Sequence, residues 1–271
     1  MTATATASAF EAINYPMVCP DVNSLWEKSY LVALQNITAV FDGFKALDLH
    51  AFAIEHNELR VIIGPNGAGK TTFCDIVSGK TRPTTGQVYF DGQDITAASE
   101  MDIALKGVGR KFQTPTVYDS LTTFENMELA LPGNQNPWRN LIHRHSTADR
   151  DQIFHQLERV RLADDAQTPA KYLSHGQRQW LAISSLILSG PKLLLVDEPA
   201  AGLTDAETEL TAELLLELRG EHTVVVIEHD MDFVRQLEAR VTVFSEGKIL
   251  AEGSLETIRE NEEVKEAYLG R

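Results

Sequence analysis

Apolar residues along this chain follow two rhythms. From Leu31 to Ile54 apolar and polar positions trade places and break once at Asp42-Gly43, which predicts two strands joined by a tight turn. Shorter apolar runs at Leu59–Ile63, Val108–Phe112, Lys192–Val196, Thr223–Glu228 and 240–245 read as further strands, and Thr85–Gly92 as a strand and turn. Between them the spacing turns helical. Lys70 opens a helix that Gly79 stops, and 99–106 is a weaker one. Thr122-Thr123-Phe124-Glu125 and Thr204-Asp205-Ala206-Glu207 are capping boxes, the first opening a helix to Leu131, the second one carrying Leu210, Leu214, Leu215 and Leu218. Ala148–Arg161, Ser174–Ser189 and 230–238 complete the helices. Turn Glu246-Gly247-Lys248 leads to a last strand and helix. Strands alternating with helices imply an α/β fold with a mostly parallel sheet covered on both faces. Residues 115–190 are mostly helix, inserted into a strand-rich frame.

Composition narrows the class. The 271 residues are 43% hydrophobic and 23% charged, which fits one or two globular domains. A net charge of −15 argues against a nucleic-acid surface, which needs clustered Lys and Arg. Two distant cysteines, Cys19 and Cys74, suit neither a disulfide framework nor a zinc site. Residues 1–30 begin with a low-complexity run and lack the parts of a signal peptide, so they read as a flexible or loosely docked extension to a domain at 31–271. No apolar run reaches the length of a membrane span.

The candidate chemistry starts at Gly64-Pro65-Asn66-Gly67-Ala68-Gly69-Lys70-Thr71, which fits G-x-x-x-x-G-K-[ST] between a strand and a helix. Glycines let the backbone curl so that successive N–H groups face one anion, and the helix N-terminus adds partial positive charge. Lys70 then reaches the β- and γ-phosphates and Thr71 offers its hydroxyl to Mg²⁺. Thr72 follows in the same turn. A second motif, Leu193-Leu194-Leu195-Val196-Asp197-Glu198-Pro199, sets two carboxylates at the C-terminal end of a buried strand, where α/β sheets bind ligands. Asp197 suits Mg²⁺, and Glu198 the orientation or deprotonation of an attacking water.

Leu173-Ser174-His175-Gly176-Gln177 opens a helix with Ser174 as N-cap. It resembles the L-S-G-G-Q signature of the ATP-binding-cassette ATPases, with His175 in place of the first glycine. The resemblance covers roughly 31–271. It implies a P-loop NTPase (RecA-like) core with an antiparallel β subdomain and a helical subdomain at about 115–190. By matching positions it implies that Phe41 stacks on adenine, a residue that reads equally as plain strand. Gln113 would reach Mg²⁺ and the water, and His229 the γ-phosphate. Ser174 and Gly176 would touch the γ-phosphate bound by a second subunit, with Gln177 beside them in the nucleotide-binding set, and Gly202-Leu203-Thr204-Asp205 would cross between two ATP sites, Asp205 contributing to binding. Such cassettes bind ATP and Mg²⁺, pair with a second ATPase subunit, and sit under membrane permeases on the inner face of the cell membrane, served indirectly by a solute-binding protein.

Phrases such as Asp197-Glu198-Pro199-Ala200-Ala201-Gly202 and Glu228-His229-Asp230-Met231 are most similar to the importers of branched-chain amino acids and amides. Gly109-Arg110-Lys111-Phe112-Gln113, Leu173-Ser174-His175-Gly176-Gln177, Gly202-Leu203-Thr204-Asp205 and Ala267-Tyr268-Leu269-Gly270-Arg271 resemble the urea group among them. Urea or short amides are therefore the expected cargo, with branched-chain amino acids as the alternative. One departure occurs at Glu55-His56-Asn57-Glu58, where many cassettes have Pro-Gly; Asn57 can adopt the left-handed conformation in place of glycine. A soluble, non-transport cassette ATPase would share the motifs, but the acidic charge and single cassette weigh against it. A P-loop kinase or GTPase would not need 173–177, and no N-K-x-D guanine motif occurs.

Overall fold

The computed structural model describes residues 30–111, 117–131 and 146–269. The expectations for the 1–30 extension, apart from Tyr30, and for Gln113 lie outside these residues.

Two sheets make the frame. In the first, β1 (Tyr30–Phe41), β2 (Phe44–Glu55), β4 (Thr85–Phe90) and β5 (Gln93–Asp94) run antiparallel in the order β2-β1-β4-β5. Asp42 and Gly43 both have positive φ, 49° and 84°, which is what the tight hairpin turn requires. The second sheet has the order β10-β9-β3-β8-β7-β6, from β3 (Leu59–Ile63), β6 (Val108–Lys111), β7 (Leu193–Asp197), β8 (Thr223–Ile227), β9 (Arg240–Ser245) and β10 (Lys248–Gly253). Its inner pairs are parallel, and β10 closes the edge antiparallel to β9.

The parallel strands are buried on both faces, hence their unbroken apolar runs. One face (Leu193, Leu195, Val225, Ile227) packs on α1 (Lys70–Val77), α2 (Glu100–Leu105) and the antiparallel sheet. The other (Leu194, Val196, Val224, Val226) packs on α3 (Thr123–Ala130), α4 (Thr147–Arg159), α5 (His175–Leu188), α6 (Asp205–Glu217), α7 (Met231–Gln236) and α8 (Leu255–Glu260). The last of these is followed by α9 (Glu262–Leu269), so the chain ends on two helices rather than one. Asn261 makes the break: its side chain accepts from the Glu263 and Val264 N–H groups and caps the second helix.

Local chemistry explains the remaining boundaries. Both sequence-read capping boxes form, at Thr122/Glu125 and Thr204/Glu207, and two more open α4 and α5 at Ser146/Asp149 and Ser174/Gln177. Asn57 has φ 58°, as the turn before β3 needs. Phe52 of β2, Phe73 of α1 and Phe244 of β9 meet edge-to-face with centroids 5.2–6.2 Å apart. This aromatic knot clamps α1, and with it the loop before it, between the two sheets.

Candidate nucleotide site

Parallel pairing brings the functional residues together. Strands β3, β8 and β7 are neighbours running the same way, so their C-terminal ends lie along one edge of the sheet. After β3 comes Gly64–Thr71, at the end of β7 Asp197 and Glu198, and after β8 Glu228 and His229. A cavity of about 230 Å³ opens there, lined by Asn66 to Thr72, Asp197, Glu198, Phe44 and Ala46.

The loop is built as its glycines require. Gly67 and Gly69 have φ 81° and 100°. A Cβ on Gly64 would stand 2.3 Å from the Phe244 carbonyl oxygen, so only glycine lets β9 come this close. Lys70 Nζ donates to the carbonyl oxygens of Gly64 at 2.6 Å and Pro65 at 3.1 Å, which holds the amine over the loop. Burial lowers its pKa, and the nearby Glu198 and Asp197 carboxylates oppose that shift.

Asp197 is held above the usual carboxylate range by burial, against the pull of Arg110, whose guanidinium lies 3.9 Å away and also binds Asp75 on α1. Among the described residues no group of three or more His, Cys, Asp or Glu side chains forms a metal cage. The Thr71 hydroxyl and the Asp197 carboxylate are instead the few hard oxygens that a Mg²⁺ shared with phosphates takes from protein. The donor set fits that ion.

Glu198 sits at φ 45°, a left-handed conformation uncommon for glutamate. Its N–H donates to the Ile227 carbonyl at 2.9 Å, tying it to β8. His229 Nδ1 lies 3.6 Å from Glu198 Oε1. Glu198, which lines the cavity, thus has His229 beside it.

Other predicted residues sit elsewhere. Ser174, Gly176, Gln177 and Asp205 do not line the cavity of their own chain. They cluster at the N-termini of α5 and α6, where Ser174 Oγ lies 3.5 Å from Glu207 Oε1. Phe41 is exposed at the end of β1, and it is Phe44, its hairpin partner, that borders the cavity.

Several neighbours escaped the motif reading. Glu228 is 1% exposed, and its carboxylate accepts from the backbone N–H groups of Ala200 (2.9 Å), His229 (2.9 Å) and Asp230 (3.3 Å). Lys111 is buried behind Asp197, Glu228 and Glu198, and burial pushes its amine down to about 8. The only sequence signal for either was position, one residue past a strand or at its last residue.

Comparison with known proteins agrees with this geometry. A family model described as ABC transporter matches residues 47–201, and one described as Branched-chain amino acid ATP-binding cassette transporter matches residues 248–271. The chain is 35% identical over 249 residues to the high-affinity branched-chain amino acid transport ATP-binding protein BraF of Pseudomonas aeruginosa, covering 89% of this chain and 98% of BraF. Among solved structures it is similar to the ADP conformation of MJ1267, an ATP-binding cassette of an ABC transporter, with 29% identity and TM-score 0.78 over 90% of this chain and all of that one. It is also similar to the dimeric post-hydrolysis state of the cassette MJ0796 bound to ADP and Pi, with 27% identity and TM-score 0.71 over 83% of this chain and 98% of that one. The chain therefore belongs to the ABC transporter family, in the branched-chain amino acid importer type, as an ATP-binding cassette that hydrolyses ATP with Mg²⁺.

Proposed function

We propose that this chain powers a membrane importer by pairing with a second cassette, each phosphate loop being completed by the other subunit's Ser174–Gln177 element or its equivalent. One observation carries the reading: Asp197 and Glu198 line the cavity of the phosphate loop, with His229 3.6 Å from Glu198, while Ser174, Gly176, Gln177 and Asp205 stand apart from it on capped helix starts. A single chain therefore has half of two sites. The dimer seen for MJ0796 supports this arrangement.

In this reading the loop N–H groups and Lys70 hold the triphosphate, and Thr71, Asp197 and Gln113 hold Mg²⁺, which supplies charge neutralisation when bound. Glu198 orients the attacking water and accepts its proton, and His229 lies beside it to contact the γ-phosphate. Phe41 or Phe44 supports the base. The helical segment at about 115–190 acts as a subdomain that moves against the frame and transmits closure to permeases on the inner face of the membrane, with a solute-binding protein upstream. Permeases enter this scheme as partner chains; among the described residues no helix is long and apolar enough to cross a membrane.

A branched-chain amino acid is the cargo that BraF's name and the family model over 248–271 favour. Urea is the second reading, favoured by the phrases at 109–113, 173–177 and 267–271. Uptake of labelled leucine and of labelled urea in a strain lacking this chain separates them: loss of one and not the other names the cargo, and loss of neither refutes both. For the mechanism, Glu198→Gln should bind ATP and lose most hydrolysis, trapping a dimer. Lys70→Ala should weaken ATP binding itself. Full turnover by the first variant removes Glu198 from its role, and unchanged affinity in the second contradicts the loop assignment.

A further inference from the structure

We propose that His175 is a positioning residue that fastens the Ser174–Gln177 turn to the loop just after Glu198, so that parts of one subunit serving two different ATP molecules move together. His175 is the first residue of α5, and its exposed ring leans across to that loop. Nε2 lies 3.2 Å from the Ala201 carbonyl oxygen, and a protonated Nε2 donates to it. The ring also covers Gly202: a Cβ there would meet Nε2 at 3.5 Å and Cδ2 at 3.6 Å. The Gln179 amide nitrogen, one turn on, lies 3.5 Å from the same ring nitrogen; in the tautomer that donates to Ala201 that nitrogen accepts nothing, so the Gln179 contact is one of packing.

Neighbouring contacts join the two helices to each other and the start of the loop to the end of β8, while His175 ties the loop to α5. Trp180 Nε1 donates to Thr211 Oγ1 at 3.0 Å, and Thr211 donates in turn to the Glu207 carbonyl, so α5 and α6 are already joined. Glu207 is crowded against Gly176, where a Cβ would stand 2.2 Å from Oε1. Ala201, by contrast, belongs to a short run of turns hung on Glu198, with Ala201 N–H donating to the Glu198 carbonyl at 3.3 Å. Holding the Ala201 carbonyl therefore steadies the turn that presents Glu198. A glycine at 175, as in the L-S-G-G-Q pattern, has no side chain to do this. The role rests on the two-subunit reading of the site; the contact itself does not.

The test uses the full chain and its His175→Gly and His175→Gln variants. Glutamine carries its amide donor as many bonds from Cβ as histidine carries Nε2. One neutral hydrogen bond of ordinary net strength corresponds to a factor of about three to ten. Hydrogen exchange of the 199–204 segment in the nucleotide-free chain should speed up by about that factor in His175→Gly and return in His175→Gln, with 180–188 unchanged. Turnover at saturating ATP should fall by a similar factor in His175→Gly, with ATP affinity unaltered, and recover in His175→Gln. Unchanged exchange overturns the contact. Faster exchange with undiminished turnover overturns the coupling. Wild-type turnover per chain that does not rise with protein concentration, beside the expected exchange result, overturns the two-subunit reading and leaves the latch standing.

Discussion

Replacing Glu228 by Gln tests whether a buried carboxylate holds the hydrolysis loops in place. The two are nearly the same size, so packing barely changes. The hydrogen-bonding capacity does change: one carboxylate oxygen serves Ala200, the other serves His229 and Asp230, and an amide has only one acceptor. The oxygen will stay with the two donors after β8. The new NH₂ then faces the Ala200 N–H, two donors with nothing to accept them. A lost charge-assisted bond is worth about 1.5–3 kcal/mol, and a buried orphan donor costs about 1–3 kcal/mol. Relief from no longer burying a negative charge offsets part of this, so the net loss is about 2–4 kcal/mol. Against a typical total of about 5–15 kcal/mol the chain still folds at 25 °C.

The affected loop begins two residues after Glu198. Urea unfolding should therefore show the lower midpoint with an unchanged slope. ATP affinity should be retained, because Glu228 does not line the nucleotide cavity, while turnover should fall at least tenfold. A stability loss under about 0.5 kcal/mol would refute the hydrogen-bond argument. Full turnover in a clearly destabilised variant would refute the link from that carboxylate to hydrolysis.

Other substitutions probe the residues around it. Gly64→Ala drives a Cβ into the Phe244 carbonyl, a backbone atom that cannot swing away; calorimetry should give a lower Tm, together with loss of ATP binding. Lys111 binds fewer protons folded than unfolded between pH 8 and its ordinary 10.5, because burial depresses its pKa. Lys111 should therefore add stability as pH rises across that window, so the wild type should gain on Lys111→Met from pH 8 to 10.5; a difference between the two that does not change with pH contradicts the burial. Glu198→Gly removes a left-handed glutamate and should cost little stability, or gain up to about 1 kcal/mol, while abolishing turnover; a large loss by urea titration would deny the strain.

The sequence carried the strands, the phosphate loop and the carboxylate pair because each is a local pattern with a local cause. Leu59–Ile63 is apolar because both of its faces are covered, and Asn57 turns left-handed because a short amide side chain allows it. Strand order was not legible. The order of parallel neighbours β3-β8-β7 depends on crossovers, and no run of residues encodes which strand end lies beside which. Glu228 was overlooked for that reason. As a residue after a strand it looks like Asp197 and Glu198, yet it serves backbone amides. Alternation across the sheet separates them only in hindsight: Asp197 shares the face of Leu193 and Leu195, towards α1, whereas Glu228 shares that of Val224 and Val226, towards the helical layer. His175 was legible as a departure from a pattern, but the Ala201 carbonyl that it meets lies 26 positions away.

Glu228, His175 and the end of β8 share one physical task. Glu198 is held in a backbone conformation that glutamate seldom adopts. The restraint comes from three directions: the Ile227 carbonyl takes its N–H, Glu228 takes the N–H of Ala200, and His175 takes the carbonyl of Ala201. Two anchor the turn to β8 and its end, and the third to the start of α5, which in the proposed two-subunit arrangement meets a partner's nucleotide. A catalytic carboxylate stabilised only from within its own half could not register whether the other half had closed. If α5 meets a partner's ATP as proposed, the restraint left on α5 makes the position of Glu198 depend on that second ATP.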